Sequence, residues 1–258
     1  PAAWFLVSLT SIGHAVPKEA REKYGLEWTQ PENIVVNGPY KITTWVQDDK
    51  IVLTKNPSYY NAAKVDIDEI TLLMVPEAST AMAMYENDEL DSVDVPPEDI
   101  DRVKADSVLG DEFYNGPRFV LYWYGFDSSQ APMDNVLVRK AFAAAIDKQT
   151  IVDKITRGGQ VAAPTMTPPG SFGSVPVAEE IGIPFDPDQA RKYLKDAGYP
   201  DGEGLPTVTL GYNASEINAN VAQAIQKMWK DNLGVAAELK GWEGGGYNDA
   251  ASAGAFNV

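Results

Sequence analysis

Residues Val120–Ile155 read VLYWYGFDSSQAPMDNVLVRKAFAAAIDKQTIVDKI, and this stretch decides the fold class. Phe119 to Phe126 is dense in aromatic residues and predicts a strand. Side chains alternate along a strand, so Tyr122 and Tyr124 share one face and Trp123 takes the other. After a turn, Asp134 is placed to cap a helix whose apolar residues Leu137, Val138, Ala141, Phe142, Ala145 and Ile146 recur at helical spacing. Asp147 is placed to cap a second helix, from Lys148 to about Arg157, which Gly158-Gly159 ends. A strand feeding paired helices points to an α/β fold.

Downstream, helices and strands go on alternating. Ala163–Pro184 is rich in proline and glycine and predicts a long irregular connection, of a kind that often carries function. Asp186-Pro187 is a cap followed by proline at the first helical position; Ala190, Tyr193, Leu194 and Ala197 follow, and Gly198 stops the helix. Thr207–Tyr212 predicts a strand. Ser215 and Asn218 then open the longest helix, with a stripe of Ile217, Val221, Ala224, Ile225, Met228 and Trp229 and a stop at Gly234. Val235–Leu239 predicts a strand again, and Ala255–Val258 reads as the opening of another.

Upstream, Trp4–Leu9 is apolar and predicted to be buried, and Pro17–Tyr24 predicts a helix ended by Gly25. Asn37-Gly38-Pro39 is a turn into a hairpin, Tyr40–Val46 with Ile51–Leu53, folded at Asp48-Asp49. Ile67–Val75 predicts a strand entering the core, Ala78–Tyr85 a helix, Leu90–Val95 a strand, and Pro96-Pro97 the start of a helix to about Ala105. That order suggests a βαβ unit in a mixed sheet. The domain boundary falls near Gly116-Pro117.

Composition narrows function. The chain has 258 residues, 44% of them hydrophobic, enough to bury a core in one or two domains. No run approaches the roughly 20 apolar residues of a membrane span. A formal charge of −16 argues against nucleic acid and anionic lipid, which need clustered Lys and Arg. With no cysteine, disulfides, thiolate metal sites and a Cys nucleophile are excluded. His14 is the one histidine, so a multi-histidine zinc site is excluded, and no Gly-x-Ser-x-Gly elbow accompanies it. Met82 and Met84 read as core. Asp88-Glu89 with Asp91 reads as a solvated turn rather than a catalytic carboxylate pair.

Four segments, in order, carry a family resemblance. The first is Asn37-Gly38-Pro39-Tyr40-Lys41-Ile42 with Trp45 and Leu53-Thr54-Lys55-Asn56-Pro57-Ser58-Tyr59-Tyr60. The second is Ile67-Asp68-Glu69-Ile70 with Ala81 to Asp94, where Asn87-Asp88 replaces a usual glycine. The third is Ala131-Pro132-Met133-Asp134-Asn135-Val136 with Val138-Arg139-Lys140-Ala141 and Ala145-Ile146-Asp147. The fourth is Asp186–Pro200 with Met228-Trp229-Lys230 and Leu233-Gly234-Val235. Together they resemble the extracellular solute-binding proteins of family 5, the oligopeptide- and dipeptide-binding receptors of ABC importers.

The resemblance implies a periplasmic-binding-protein-like fold of type II, α/β with mixed sheets, in which two lobes close on a ligand. Residues 1–118 would be part of lobe I and 119–258 part of the second lobe, with Val120–Asp127 crossing between them. It implies an internal fragment, incomplete at both ends, that stops before the acidic residue holding a peptide's amino terminus. Trp242, in Lys240-Gly241-Trp242-Glu243, resembles a tryptophan lining the cavity of peptide binders; Tyr122 with Tyr124, or Trp123, would present a face to the cleft. Gly244-Gly245-Gly246 departs from the family pattern, where a helix starts. The implied protein is not an enzyme. It is a monomer at the periplasmic or extracellular face of the membrane, lipid-anchored or free, that takes oligopeptide or another small solute to the permease subunits, with no cofactor and no metal. The alternatives are the same fold binding oligosaccharide or a nickel or haem complex, a carboxylate-dependent glycan hydrolase, and a structural interaction module.

Overall fold

The computed structural model describes residues 16–116, 120–168, 171–174 and 181–258. The expectations for Trp4–Leu9, His14 and Phe119 lie outside the described residues. The described chain forms two units of dense internal contact, Pro1–Pro76 and Glu77–Val258.

In the first unit, α1 (Lys18–Tyr24) ends at Gly25, whose φ of 60° suits glycine. Strands β1 (Tyr40–Val46), β2 (Lys50–Lys55) and β3 (Glu69–Leu73) form an antiparallel sheet in that order. Asp48 turns the hairpin at φ 57°, a left-handed value that Asp tolerates. Asn56 explains why the two halves of the first motif travel together. Its buried amide donates to Gly38 O at 2.8 Å and accepts from Ser58 N at 3.1 Å, while its backbone N–H donates to Pro39 O at 2.8 Å. Each polar atom it buries therefore has a partner. The expected entry of residues 67–75 into a core is corrected: β3 is an edge strand in which only Ile70 is half-buried.

In the second unit, α2 (Ala78–Glu86) buries Met82, and α3 (Ile100–Ala105) buries Ile100 and Val103. Arg102 ties them, reaching Glu86 at 2.6 Å and Asp99 at 3.0 Å. Leu90–Val95 forms no strand, so the expected βαβ unit there is not formed. Among the described residues no strand pairs with it.

The main core lies farther on. It joins α4 (Val136–Ala144), α5 (Pro187–Asp196), β4 (Thr209–Asn213), α6 (Glu216–Leu233) and β5 (Glu238–Trp242). A short turn, Lys148–Thr150, runs into a π-helix at Ile151–Thr156, and α7 (Gly246–Ser252) closes the set. The first helix is capped by Asn135, whose side chain accepts from Leu137 N at 2.9 Å, rather than by Asp134, whose own N–H still belongs to the preceding turn. Asp147, Asp186 and Ser215 cap as expected. Strands β4 and β5 are parallel, with Leu210 opposite Leu239, and α6 is the crossover that parallel pairing requires. Val258 extends this sheet beside β4, donating to Thr209 O at 3.2 Å and accepting from Gly211 N at 2.7 Å, a parallel bridge. Among the described residues Val120–Phe126 joins no ladder, and its neighbour Asp127 donates to Asn257 O at 2.9 Å.

Trp229 anchors the layers. It is fully buried, its ring lies 4.8 Å from that of Phe142, and its indole N–H donates to Phe142 O at 3.0 Å. Truncating it should leave a large cavity and an unpaired carbonyl. Trp229→Ala is expected to cost about 3–5 kcal/mol in urea unfolding. Trp229→Phe keeps a ring but orphans the carbonyl, and should cost about 1–3 kcal/mol.

Candidate functional site

The parallel strands β4 and β5 end side by side, with Asn213 opposite Trp242. In open α/β sheets ligands bind beyond the carboxyl ends of such strands, and here aromatic rings gather at that end. Trp242 lies 5.1 Å from Phe256, which stacks on Tyr247 at 5.4 Å and 24°. Phe256 can lie flat on β4 because position 211 is glycine: a Cβ there would sit 2.5 Å from the ring. Tyr212 is similarly close to Gly241, where a Cβ would meet its ring at 3.1 Å. The Lys240 ammonium stands 5.0 Å from the Trp242 ring centre, a cation–π contact.

Tyr122 and Tyr124 meet edge to face at 5.6 Å, with their hydroxyls 3.2 Å apart. Burial pushes the Tyr124 phenol well above its ordinary range, and the hydrogen bond to Tyr122 and the nearby phenols of Tyr247 and Tyr212 push it the same way. Burial also raises Tyr122, opposed in part by its hydrogen bond with Tyr124. The three expected residues thus stand in two aromatic groups, Tyr122 with Tyr124, and Trp242 with Phe256 and Tyr247, and the Tyr247 phenol is near enough to raise those of Tyr122 and Tyr124. Trp123 stands apart on the other face, its ring folded toward Gly125.

Sequence reasoning missed Tyr247, Phe256 and Lys240. A signal was present, since glycine inside a strand often marks a close approach by another group, and Gly211 and Gly241 are such glycines. The doubtful Gly244-Gly245-Gly246 run does lead into a helix, α7. Downstream of the tyrosines, Asp127 stiffens the chain. Its carboxylate accepts from the Ser129 hydroxyl at 2.6 Å, Ser129 N at 3.0 Å and the Gln130 amide at 2.6 Å, and these bonds hold its pKa below the usual range.

Two concavities lie elsewhere. One of about 430 Å³ sits among Met82, Tyr85, Ile100, Val103, Asn115 and Gly158; another of about 510 Å³ lies between the π-helix and α6. We place the candidate site at the aromatic cluster because it lies at the carboxyl edge of the parallel strands. No group of three or more metal-ligating side chains occurs among the described residues, and no described helix is long and apolar enough to cross a membrane. The cluster offers π faces and one cation, which suit stacking and capture of apolar or planar groups.

The family model for bacterial extracellular solute-binding proteins, family 5 Middle, matches residues 1–258. The chain belongs to this family. Family 5 proteins bind solutes and are not enzymes. A crystal structure of the periplasmic oligopeptide-binding protein OppAIV from Borrelia burgdorferi superposes with a TM-score of 0.89 at 34% identity, covering 98% of this chain and 50% of that one. The fold is therefore periplasmic-binding-protein-like, of type II. The periplasmic oligopeptide-binding protein OppA of Salmonella typhimurium is 35% identical over 248 residues, 94% of this chain and 45% of that protein. The probable deoxycholate-binding periplasmic protein YgiS of Escherichia coli is 31% identical over 260 residues. The family 5 chain described here spans about half the length of these relatives.

The phenols yield a test. Folding favours the neutral form of Tyr124, so its folded pKa lies above the unfolded value of about 10. The stability this contributes is full below about pH 10 and is lost as pH rises through the folded value. Ultraviolet difference titration should show a late phenol that ionises only as the fold is lost, and Tyr124→Phe should remove that step while leaving the early-titrating tyrosines unchanged.

Proposed function

We propose that this chain belongs to the substrate-binding component of an ABC importer that captures oligopeptides and delivers them to the membrane permease. The observation that carries this reading is the aromatic group of Trp242, Phe256 and Tyr247 at the carboxyl edge of β4 and β5, with the Tyr122–Tyr124 pair close to the Tyr247 phenol. The names of the relatives support the peptide class and a periplasmic location. Residues 1–118 would belong to one lobe and 119–258 to the other, closing by differential affinity of the two states for solute. The protein would act as a monomer at the periplasmic or extracellular face. Its acidity disfavours nucleic acid as a partner.

A second reading keeps the fold and changes the solute. It is favoured by the relative named for deoxycholate and by aromatic faces that suit any apolar ring system. Native mass spectrometry of the protein purified without refolding separates the two. A ladder of peptide masses is expected; a single sterol-sized adduct would replace the peptide assignment, and a sugar or metal complex would do the same. In either case Trp242→Ala should weaken binding by about thirtyfold, the loss typical of an aromatic hot spot, whereas Trp242→Phe should lose less. An unchanged affinity in Trp242→Ala would remove the cluster from the ligand path.

A further inference from the structure

The two aromatic groups come from stretches of chain far apart in sequence. Tyr122 and Tyr124 stand just upstream of Asp127, and Phe256 stands between Gly254 and Asn257. Hydrogen bonds join the two stretches at these flanking residues. The Asp127 N–H donates to Asn257 O at 2.9 Å, the Gln130 amide donates to Gly254 O at 3.2 Å, and the Asn257 amide donates to Ala131 O at 3.4 Å. Phe256 is thus bracketed on both sides by residues bonded to the turn that follows the tyrosines.

Gln130 is the centre of this junction. Its half-buried amide nitrogen has two hydrogens to give and two acceptors to receive them, Gly254 O and the Asp127 carboxylate at 2.6 Å. Bonds from the Ser129 hydroxyl and N–H and from Gln130 hold Asp127 below its usual pKa, so the carboxylate end of the bridge stays charged and the bond is charge-assisted. The fit at the other end is close. Gly254 has φ of 65°, and a Cβ on it would lie 2.6 Å from the Gln130 nitrogen, so a side chain there would be strained and would push the amide away. Both sides of the bridge rest on fixed ground. Pro132 and Met133 are fully buried, and the Asp134 N–H donates to Gln130 O at 2.8 Å. Asn257 is bound to β4, its N–H donating to Thr209 O at 3.1 Å and its side-chain oxygen accepting from Thr209 N at 2.8 Å.

We infer that Gln130 is a positioning residue whose amide latches the tyrosine stretch to the stretch carrying Phe256, and so sets the spacing between the two aromatic groups. The functional part of this inference rests on the peptide-binding reading. Gln130 belongs to neither group; it acts through the backbone that carries them. Groups that meet one solute bind it more tightly when their spacing is fixed in advance, because the ordering is then not left to the binding step.

The test compares wild type with Gln130→Glu, which keeps the shape and loses both donors, and Gln130→Ala, which loses the shape as well. Protein labelled with fluorotyrosine is read by fluorine NMR, with the Tyr122, Tyr124 and Tyr247 signals assigned from single Tyr→Phe variants. In both Gln130 variants these three signals should move or broaden, while that of Tyr40 in the first unit stays in place. Amide exchange read by mass spectrometry should rise roughly three- to tenfold in residues 125–130 and 254–258 and stay unchanged in α6. Calorimetry with tetra-alanine as probe should show weakening of roughly three- to tenfold in both variants. A Gln130→Glu protein that matches wild type would show that the side chain only fills space, and would overturn the latch. Unchanged fluorine signals overturn it too, as does exchange that rises everywhere, α6 included, because that is a plain stability defect. Tetra-alanine bound by the variants as tightly as by wild type overturns the functional part. If wild type binds neither tetra-alanine nor other short peptides, the peptide reading falls, and the fluorine signals and exchange still decide the latch.

Discussion

The carboxyl end of α4 is the constraint on which the larger unit depends. A helix leaves its last carbonyls without intrahelical partners, and burying them unpaired is costly. Here Ala141 O and Ala143 O are met locally, by the N–H groups of Ala145 and Ile146, and the remaining carbonyls find donors outside α4. Trp229 of α6 serves Phe142 O, Asn232 of α6 serves Ala145 O at 2.8 Å, and the N–H of Asp186, which caps α5, serves Ala144 O at 2.9 Å. Three helices are thereby held in register by polar bonds set inside an apolar core of Phe142, Leu194, Leu210, Ile225 and Leu233. Apolar burial supplies most of the driving force, and the carbonyls choose which packing is acceptable.

That division explains what was legible in the residues. Caps and stops at Asp147, Asp186, Ser215, Gly198 and Gly234 are local chemistry, and they stand where the pattern put them. The hairpin at Asp48 is local as well. Apart from the cap, which falls on Asn135 rather than Asp134, errors arose where a segment's state depends on a distant partner. Leu90–Val95 and Val120–Phe126 both read as strands, yet among the described residues neither has a strand beside it to make a ladder. Along α6 the expected stripe was shifted. Ala222 and Leu233 are buried, while Ala224 and Met228 turn toward the concavity beside the π-helix, because helix packing selects a face that periodicity alone leaves wide.

The candidate site was half legible for the same reason. Tyr122, Tyr124 and Trp242 stood out through their positions in motifs, and the alternation of residues 122–124 separates Trp123 from the tyrosine pair. Tyr247 and Phe256 had no motif to announce them. They meet Trp242 because α7 and the segment after it return the chain to the end of the parallel strands, an outcome of topology rather than of neighbourhood in sequence.

The two sides of β4 and β5 answer to different demands. Leu210, Tyr212 and Leu239 face the helices and belong with the core, whereas Lys240, Trp242 and the ring lying on Gly211 occupy the opposite side. A protein built this way can exchange the residues proposed to meet solute without disturbing those that hold the fold. The glycine at 211 sets the limit of that freedom, since any side chain there would lift Phe256 off the strand and tilt the surface on which every neighbouring ring rests. Diversification of ligand preference on this scaffold should therefore run through Lys240, Trp242 and Tyr247, with Gly211 as the one position on that side that stays still.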